Sequence, residues 1–243
     1  MPGTEIAVVT GGGSGIGRAA GIALAEAGFH VVFAGRTQAS LDESVELAGS
    51  GTAHVLDVTD RGAVDALFDR LERVDLLVNS AGIFGAQNPV AETSDEHWDS
   101  ALAINVTGSF NAARAAFRVM AAQDPRGGRI LNLGSVSAQV PRPQATPYTV
   151  SKHAVSGLTK SLALEGRDLD IAVGQLDVGN AATPMTRGFG VGALQPDGTR
   201  RVEPTMDVRH VAETIVFLAR LPLSVNVPFM TVMATAMPLF GRG

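Results

Sequence analysis

Residues 6–27 read IAVVTGGGSGIGRAAGIALAEA, and the order of their parts decides which fold the chain can adopt. Ile6–Thr10 is a short, nearly continuous apolar run, the pattern of a strand buried on both faces. Gly11-Gly12-Gly13-Ser14-Gly15-Ile16-Gly17 follows, and 18–27 is an alanine-rich helical pattern. Between a strand and a helix, such glycines permit a tight turn, let backbone approach a pyrophosphate and let the helix pack closely on the strand. A merely flexible turn is the alternative reading of the same glycines.

A second apolar run at 29–34 closes a βαβ unit. At its end, Gly35-Arg36-Thr37 offers no acid for the adenine-ribose hydroxyls but does offer an arginine that can pair with a 2′-phosphate. A solvated loop arginine is the alternative. Strand patterns recur at 53–56, 74–78, 129–133, 171–176 and 229–233, and helical patterns at 61–71, 94–120, 148–164 and 208–221. This alternation predicts one α/β domain over 1–243, a doubly wound parallel sheet of about seven strands with helices on both faces. In such a sheet ligands bind beyond the carboxyl ends of the strands, where the strand order switches. Gly11 to Gly17, Arg36, Asp57, Asn79 to Gly82 and Ser135 all stand just after strand ends, so separate segments converge on one site.

Tyr148 is the only tyrosine, and Lys152 is one of two lysines, the other being Lys160. Four residues apart on a helix, they share a face, so the ammonium can reach the neighbourhood of the phenol. A phenol ordinarily titrates near 10, and a nearby fixed cation moves it toward a range useful for acid/base work. A helix-capping tyrosine and a solvated lysine fit the same spacing; the rest of the chain has to decide. The net charge of −5 argues against nucleic acid as a main partner. The absence of cysteine excludes disulfides, thiol catalysis and zinc–thiolate sites. His30, His54, His97, His153 and His210 show no ligand spacing, so no metal is expected, and His153 is expected to face away from Lys152. No basic leader and no apolar run of roughly 18 residues is present, which reads as a soluble, cytoplasmic protein without a membrane partner.

With these motifs the chain resembles the short-chain dehydrogenase/reductase family over essentially its whole length. The resemblance rests on Thr10-Gly11-x-x-x-Gly15-Ile16-Gly17, Asp57, Asn79-Ser80-Ala81-Gly82, Asn105, Ser135, Tyr148-x-x-x-Lys152 and Gly179-x-x-x-Thr183, with thirteen residues from Ser135 to Tyr148. It implies a single-domain Rossmann fold and a catalytic set of Asn105, Ser135, Tyr148 and Lys152. Tyr148 is implied as the proton donor or acceptor and Ser135 as the partner of the substrate oxygen. Lys152 is implied to bind the nicotinamide ribose and lower the Tyr148 pKa, and Asn105 to position water in the proton path behind it. Cofactor contacts are implied at Gly11, Gly13, Ser14, Gly15, Ile16, Gly17, Arg36, Asp57, Val58, Asn79, Ala81, Gly82, Tyr148, Lys152, Gly179, Ala181 and Thr183. Asp57 and Val58 would bracket the adenine, and Thr183 would hold the carboxamide. Three departures stand out: Ser80 replaces a common second Asn, Val178 preceded by Asp177 replaces the usual Pro, and the C-terminus lacks the glycine-rich tail of many relatives.

The expectation is an NADP(H)-preferring oxidoreductase, with NAD(H) also possible, that interconverts a secondary alcohol and a ketone. A catalytically idle dinucleotide sensor and a methyltransferase on a related sheet are the rivals; neither requires the Tyr–Lys pair. Substrate choice is expected to come from 84–97, 136–147 and 184–205, the last acting as a lid. Arg142 is either an attractor of anionic groups or a solvated loop residue. Small residues on the 94–120 and 148–164 helices, with the habit of relatives, suggest a homodimer or homotetramer.

Overall fold

The computed structural model describes residues 4–187 and 192–240. Seven strands form one parallel sheet in the order β3-β2-β1-β4-β5-β6-β9: β1 (Ile6–Thr10), β2 (His30–Gly35), β3 (Thr52–Val55), β4 (Leu76–Asn79), β5 (Gly128–Leu133), β6 (Ile171–Val178) and β9 (Phe229–Val232). The order runs outward in both directions from the β1–β4 pair, which makes that pair the switch point of a doubly wound α/β domain.

Alternate residues of each strand feed two cores. Val8, Val32 and Leu77 face helices α3 (Arg61–Phe68), α5 (Ser109–Ala122) and α6 (Thr146–Glu165). Ala7, Val9, Phe33 and Val78 face α1 (Gly15–Glu26), α2 (Gln38–Ala48) and α7 (Val208–Ala219). With apolar residues on both faces, the central strands read as continuous hydrophobic runs in the sequence. Burying one such side chain as fully as Phe33 contributes about 1.5–3 kcal/mol. Asp60 and Asp207 cap α3 and α7 by accepting the Ala63 and Arg209 amides at 3.0 and 2.8 Å.

Four segments depart from the sequence expectation. The first helix begins at Gly15 rather than at 18, because Gly17 has no side chain: a Cβ there would lie 2.3 Å from the Gly11 carbonyl oxygen. Helix α2 carried no recognised signal, since only Leu41 and Ser44 along it are buried. The pattern at 94–120 divides into α4 (Asp95–Leu102), a wide π turn (Ala103–Gly108) and α5. Within that turn Gly108 lies against Val58, whose Cγ2 would stand 2.4 Å from a Cβ. Segment 184–205, expected as a lid loop, carries short regular elements among its described residues. It contains a 3-10 turn (Pro184–Thr186) and a small antiparallel hairpin, β7 (Ala193–Leu194) with β8 (Arg200–Arg201), while 188–191 lie outside the described residues.

Candidate active site

A cavity of about 350 Å³ runs along the carboxyl edge of the sheet. Its floor is the glycine turn after β1. Gly11 takes φ +68° and approaches Ala81 so closely that a Cβ would stand 2.9 Å from its backbone. The Ser14 side chain makes no capping bond to α1, so the first-turn amides are left for another acceptor. Arg18 braces the turn from behind, donating to the Gly13 carbonyl at 2.6 Å and to Glu43 of α2 at 2.6 Å. Arg36 stands exposed at one end of the cavity, near Asp57. Two hydrogen bonds from Thr59, backbone and hydroxyl, fix the Asp57 carboxylate and hold its pKa below the usual range.

Of the residues expected from the sequence, Gly11, Gly13, Ser14, Gly15, Ile16, Arg36, Asp57, Val58, Ala81, Gly82, Ser135, Tyr148, Lys152, Gly179, Ala181 and Thr183 line this one cavity. Gly17, Asn79 and Asn105 lie behind it. Gly17 serves helix packing, as above. Asn79 spends its amide on the Ser109 carbonyl (3.1 Å) and Asn132 Oδ1 (2.9 Å), tying β4 to α5 and β5. Asn105, projecting from the π turn, accepts from the Ile83 amide (2.8 Å) and donates to the Ile83 carbonyl (2.9 Å) and Ser151 Oγ (2.9 Å). Asn105 thus holds the β4 loop against α6, where Ser151 Oγ in turn donates to the Tyr148 carbonyl.

Helix α6 turns Tyr148 and Lys152 inward on one buried face and leaves His153 exposed. Lys152 Nζ donates to the Leu133 carbonyl at 2.7 Å and sits 5.7 Å from the centre of the Tyr148 ring. Burial lowers the Lys152 pKa to about 8, and the negative charge of Asp177 opposes that fall. For Tyr148 the largest influence is also burial, which raises the phenol. The Ser135 hydroxyl, by hydrogen bonding, and Arg142, by charge, pull it down, and Asp177 pushes it up. A depressed phenol is therefore not a property of the protein alone, because the pocket that brings the ammonium near also desolvates the phenolate.

Three residues of the site carried no such role in the sequence. Phe84 packs on Tyr148, ring centres 4.7 Å apart and tilted 51°. Arg142 is neither solvated nor simply aimed at a ligand. It is buried in an ion pair with Glu203 (2.9 Å), and Asn180 and Gln195 complete the cluster around that carboxylate. Asp177 is buried behind Ser135. The long-range partners lie 38 to 61 residues away for Arg142 and 38 to 42 for Asp177, beyond any local pattern. Among the described residues no cluster of three or more His, Asp or Glu is placed to hold a metal, and no helix is long and apolar enough to cross a membrane.

A glycine turn at the switch point of a doubly wound sheet, opening on a buried Ser–Tyr–Lys cluster, is the architecture of an NAD(P)-binding oxidoreductase. The chain matches the short chain dehydrogenase family over residues 5–191 and belongs to that family. It is 42% identical over 187 residues to galactitol 2-dehydrogenase (L-tagatose-forming) of Cereibacter sphaeroides, covering 74% of this chain and 72% of that one. It is 33% identical over 240 residues to sulfoacetaldehyde reductase 2 of Chromohalobacter salexigens, covering 96% and 95%. A variant of actinorhodin polyketide ketoreductase, solved with NADPH, superposes with a TM-score of 0.83 at 29% identity, covering 94% and 95%.

Proposed function

We propose that the protein is an NADPH-preferring reductase and dehydrogenase that interconverts a secondary alcohol and a ketone, with NAD(H) a weaker alternative. The observation that carries this reading is that Ser135, Tyr148 and Lys152 line the same cavity as the glycine turn. The cavity fits a dinucleotide: the turn leaves amides free for a pyrophosphate, and Arg36 at the far end suits a 2′-phosphate. Asp57 and Val58 would flank the adenine, Ala81, Gly82 and Lys152 the ribose on the nicotinamide side, and Gly179, Ala181 and Thr183 the carboxamide. When bound, the nicotinamide supplies or accepts the hydride.

The protein's own share of the chemistry is proton transfer and alignment. In the reductive direction the Tyr148 hydroxyl donates its proton to the substrate oxygen as that oxygen gains charge, while the Ser135 hydroxyl hydrogen-bonds the same oxygen. Lys152 then favours the phenolate that remains, and in the oxidative direction that phenolate takes the alcohol proton. Phe84, the 136–147 loop and residues 184–186 of the expected lid segment bound the substrate space. Exposed Phe110 on α5 and Val150, Ala154 and Gly157 on α6 suit a homo-oligomeric contact between copies of these helices, whereas Ala112, Ala113, Ala115 and Ala116 of α5 are buried in the subunit's own core; a monomeric mass by light scattering would count against that contact.

The decisive experiment follows reduced-nicotinamide absorbance with a broad panel of ketones and alcohols, from polyols to hydroxysteroids. Tyr148→Phe should lower kcat by about 10²–10⁴-fold with little change in cofactor affinity. An active Tyr148→Phe enzyme removes this mechanism, and cofactor binding without turnover of any substrate by the wild type favours a sensor instead.

A further inference from the structure

Asp177 is the next-to-last residue of β6 and only 2% exposed, an uncommon place for a carboxylate. Its Oδ1 accepts from the Ser135 amide at 3.1 Å and from Gln175 Nε2 at 2.6 Å, and its Oδ2 accepts from Gln139 Nε2 at 2.7 Å. Gln139 is itself tied to Thr231 Oγ1 of β9 at 3.0 Å. These three donors are neutral, so they solvate the carboxylate without balancing its charge. The opposite charge lies across three residues of backbone. Lys152 Nζ holds the Leu133 carbonyl, Asp177 holds the Ser135 amide, and Gly134 sits between them. A Cβ on Gly134 would stand 1.9 Å from Asp177 Oδ1, so the carboxylate presses directly on this turn.

We propose that Asp177 is a positioning residue of the active site: its carboxylate fixes the turn that presents the Ser135 hydroxyl, and it is the buried counter-charge of the Lys152 ammonium. The proposal rests on the oxidoreductase reading above. Two consequences follow from the geometry. Ser135 is anchored from strand β6 through its backbone amide, while its own loop holds the hydroxyl oxygen, which accepts from the Ser137 amide at 3.1 Å, and the ammonium needed beside Tyr148 stays charged in a site that otherwise disfavours charge. The direction of the electrostatics agrees, since burial lowers Lys152 and Asp177 opposes that fall. The other charged or titratable groups that bear on the pair are Tyr148, one turn earlier on Lys152's own helix, and Arg142 on the loop between β5 and α6. From the π turn and the β4 loop the neighbours are neutral, Asn105 and Gly82.

The chain has two lysines, so NMR of protein labelled at the lysine Nζ follows two side-chain titrations, which Lys160→Arg assigns. In the wild type without cofactor, Lys152 should titrate at about 8. Asp177→Asn keeps an acceptor for the Ser135 amide but loses the charge. It should lower that titration by about one unit or more, leave Lys160 unmoved, and shift the alkaline limb of the kcat/KM profile to lower pH in step. Asp177→Ser, smaller and able to accept from the same amide, should do likewise. An unmoved Lys152 in either folded variant overturns the proposal. So does a wild-type Lys152 that titrates at about 5–6, the range of buried lysines with no counter-charge, whether or not the variants fold. These outcomes are separable from failure of the functional reading: an active Tyr148→Phe enzyme would remove that reading while leaving the lysine titration to stand or fall by itself.

Discussion

Glu203→Gln probes the bond between the segment that follows β8 and the loop between β5 and α6. Glu203 is 2% exposed and accepts from Arg142 (2.9 Å), Asn180 (2.7 Å) and Gln195 (3.0 Å). Burial alone would raise its pKa. The hydrogen bonds from Arg142, Gln195 and Asn180, together with the Arg142 charge, outweigh burial and bring it to about 2 from the usual 4.5. That gap corresponds to about 3 kcal/mol. The folded-state pKa is the lower one. The contribution is therefore complete above the unfolded value near 4.5 and is lost as pH falls toward about 2. Glu203→Gln keeps the shape but leaves Arg142 charged and buried, so at pH 7 the variant should be less stable by about 2–3 kcal/mol. Urea unfolding followed by far-UV circular dichroism should show the difference narrowing by about 1 kcal/mol or more by pH 3.5. A difference that stays constant across this range, or no difference at pH 7, would refute the assignment of Glu203 as an ionised partner of Arg142.

Arg36→Ala should weaken NADPH binding by about 1–2 kcal/mol, roughly five- to thirty-fold, and leave NADH nearly unchanged; equal loss for both would remove Arg36 as the source of preference. Because Tyr148 is the only tyrosine, the phenolate absorbance band reports it alone. In the cofactor-free enzyme the band should emerge above the ordinary pH of 10, because burial raises the phenol, and it should move downward once oxidised cofactor adds positive charge. A free-enzyme titration below 10 would contradict the burial argument. Gly17→Ala forces a Cβ to within 2.3 Å of the Gly11 carbonyl oxygen, so it should cost about 1–3 kcal/mol of stability and weaken cofactor binding through the displaced turn. Thermal melts with and without NADPH measure both effects, and a variant matching the wild type in each would show that the helix start is looser than described.

The sequence by itself determined the sheet, the glycine turn and the inward pair Tyr148–Lys152, because each is written in contiguous residues. Apolar strand runs, glycines between strand and helix, and an i, i+4 spacing are local periodicities. The convergence of strand-end residues on one edge followed as well, since a parallel sheet puts every strand's carboxyl end on the same side. Helix α2 stayed hidden because so little of it faces the core, and the π turn because one extra residue within a helix leaves no mark in a hydrophobic pattern. What only the tertiary structure decided is which polar groups share the low-dielectric interior. Arg142 read as a loop cation until Glu203, 61 residues away, was placed against it. Asp177 read as a departure from a family pattern until its carboxylate was found on the Ser135 amide, 42 residues back. For Tyr148 the i, i+4 spacing shows the ammonium that favours a phenolate, whereas only the tertiary structure shows the burial that, without cofactor, raises the phenol. Charge and desolvation depend on which segments meet and how completely water is excluded, and neither quantity is carried by the spacing of residues along the chain.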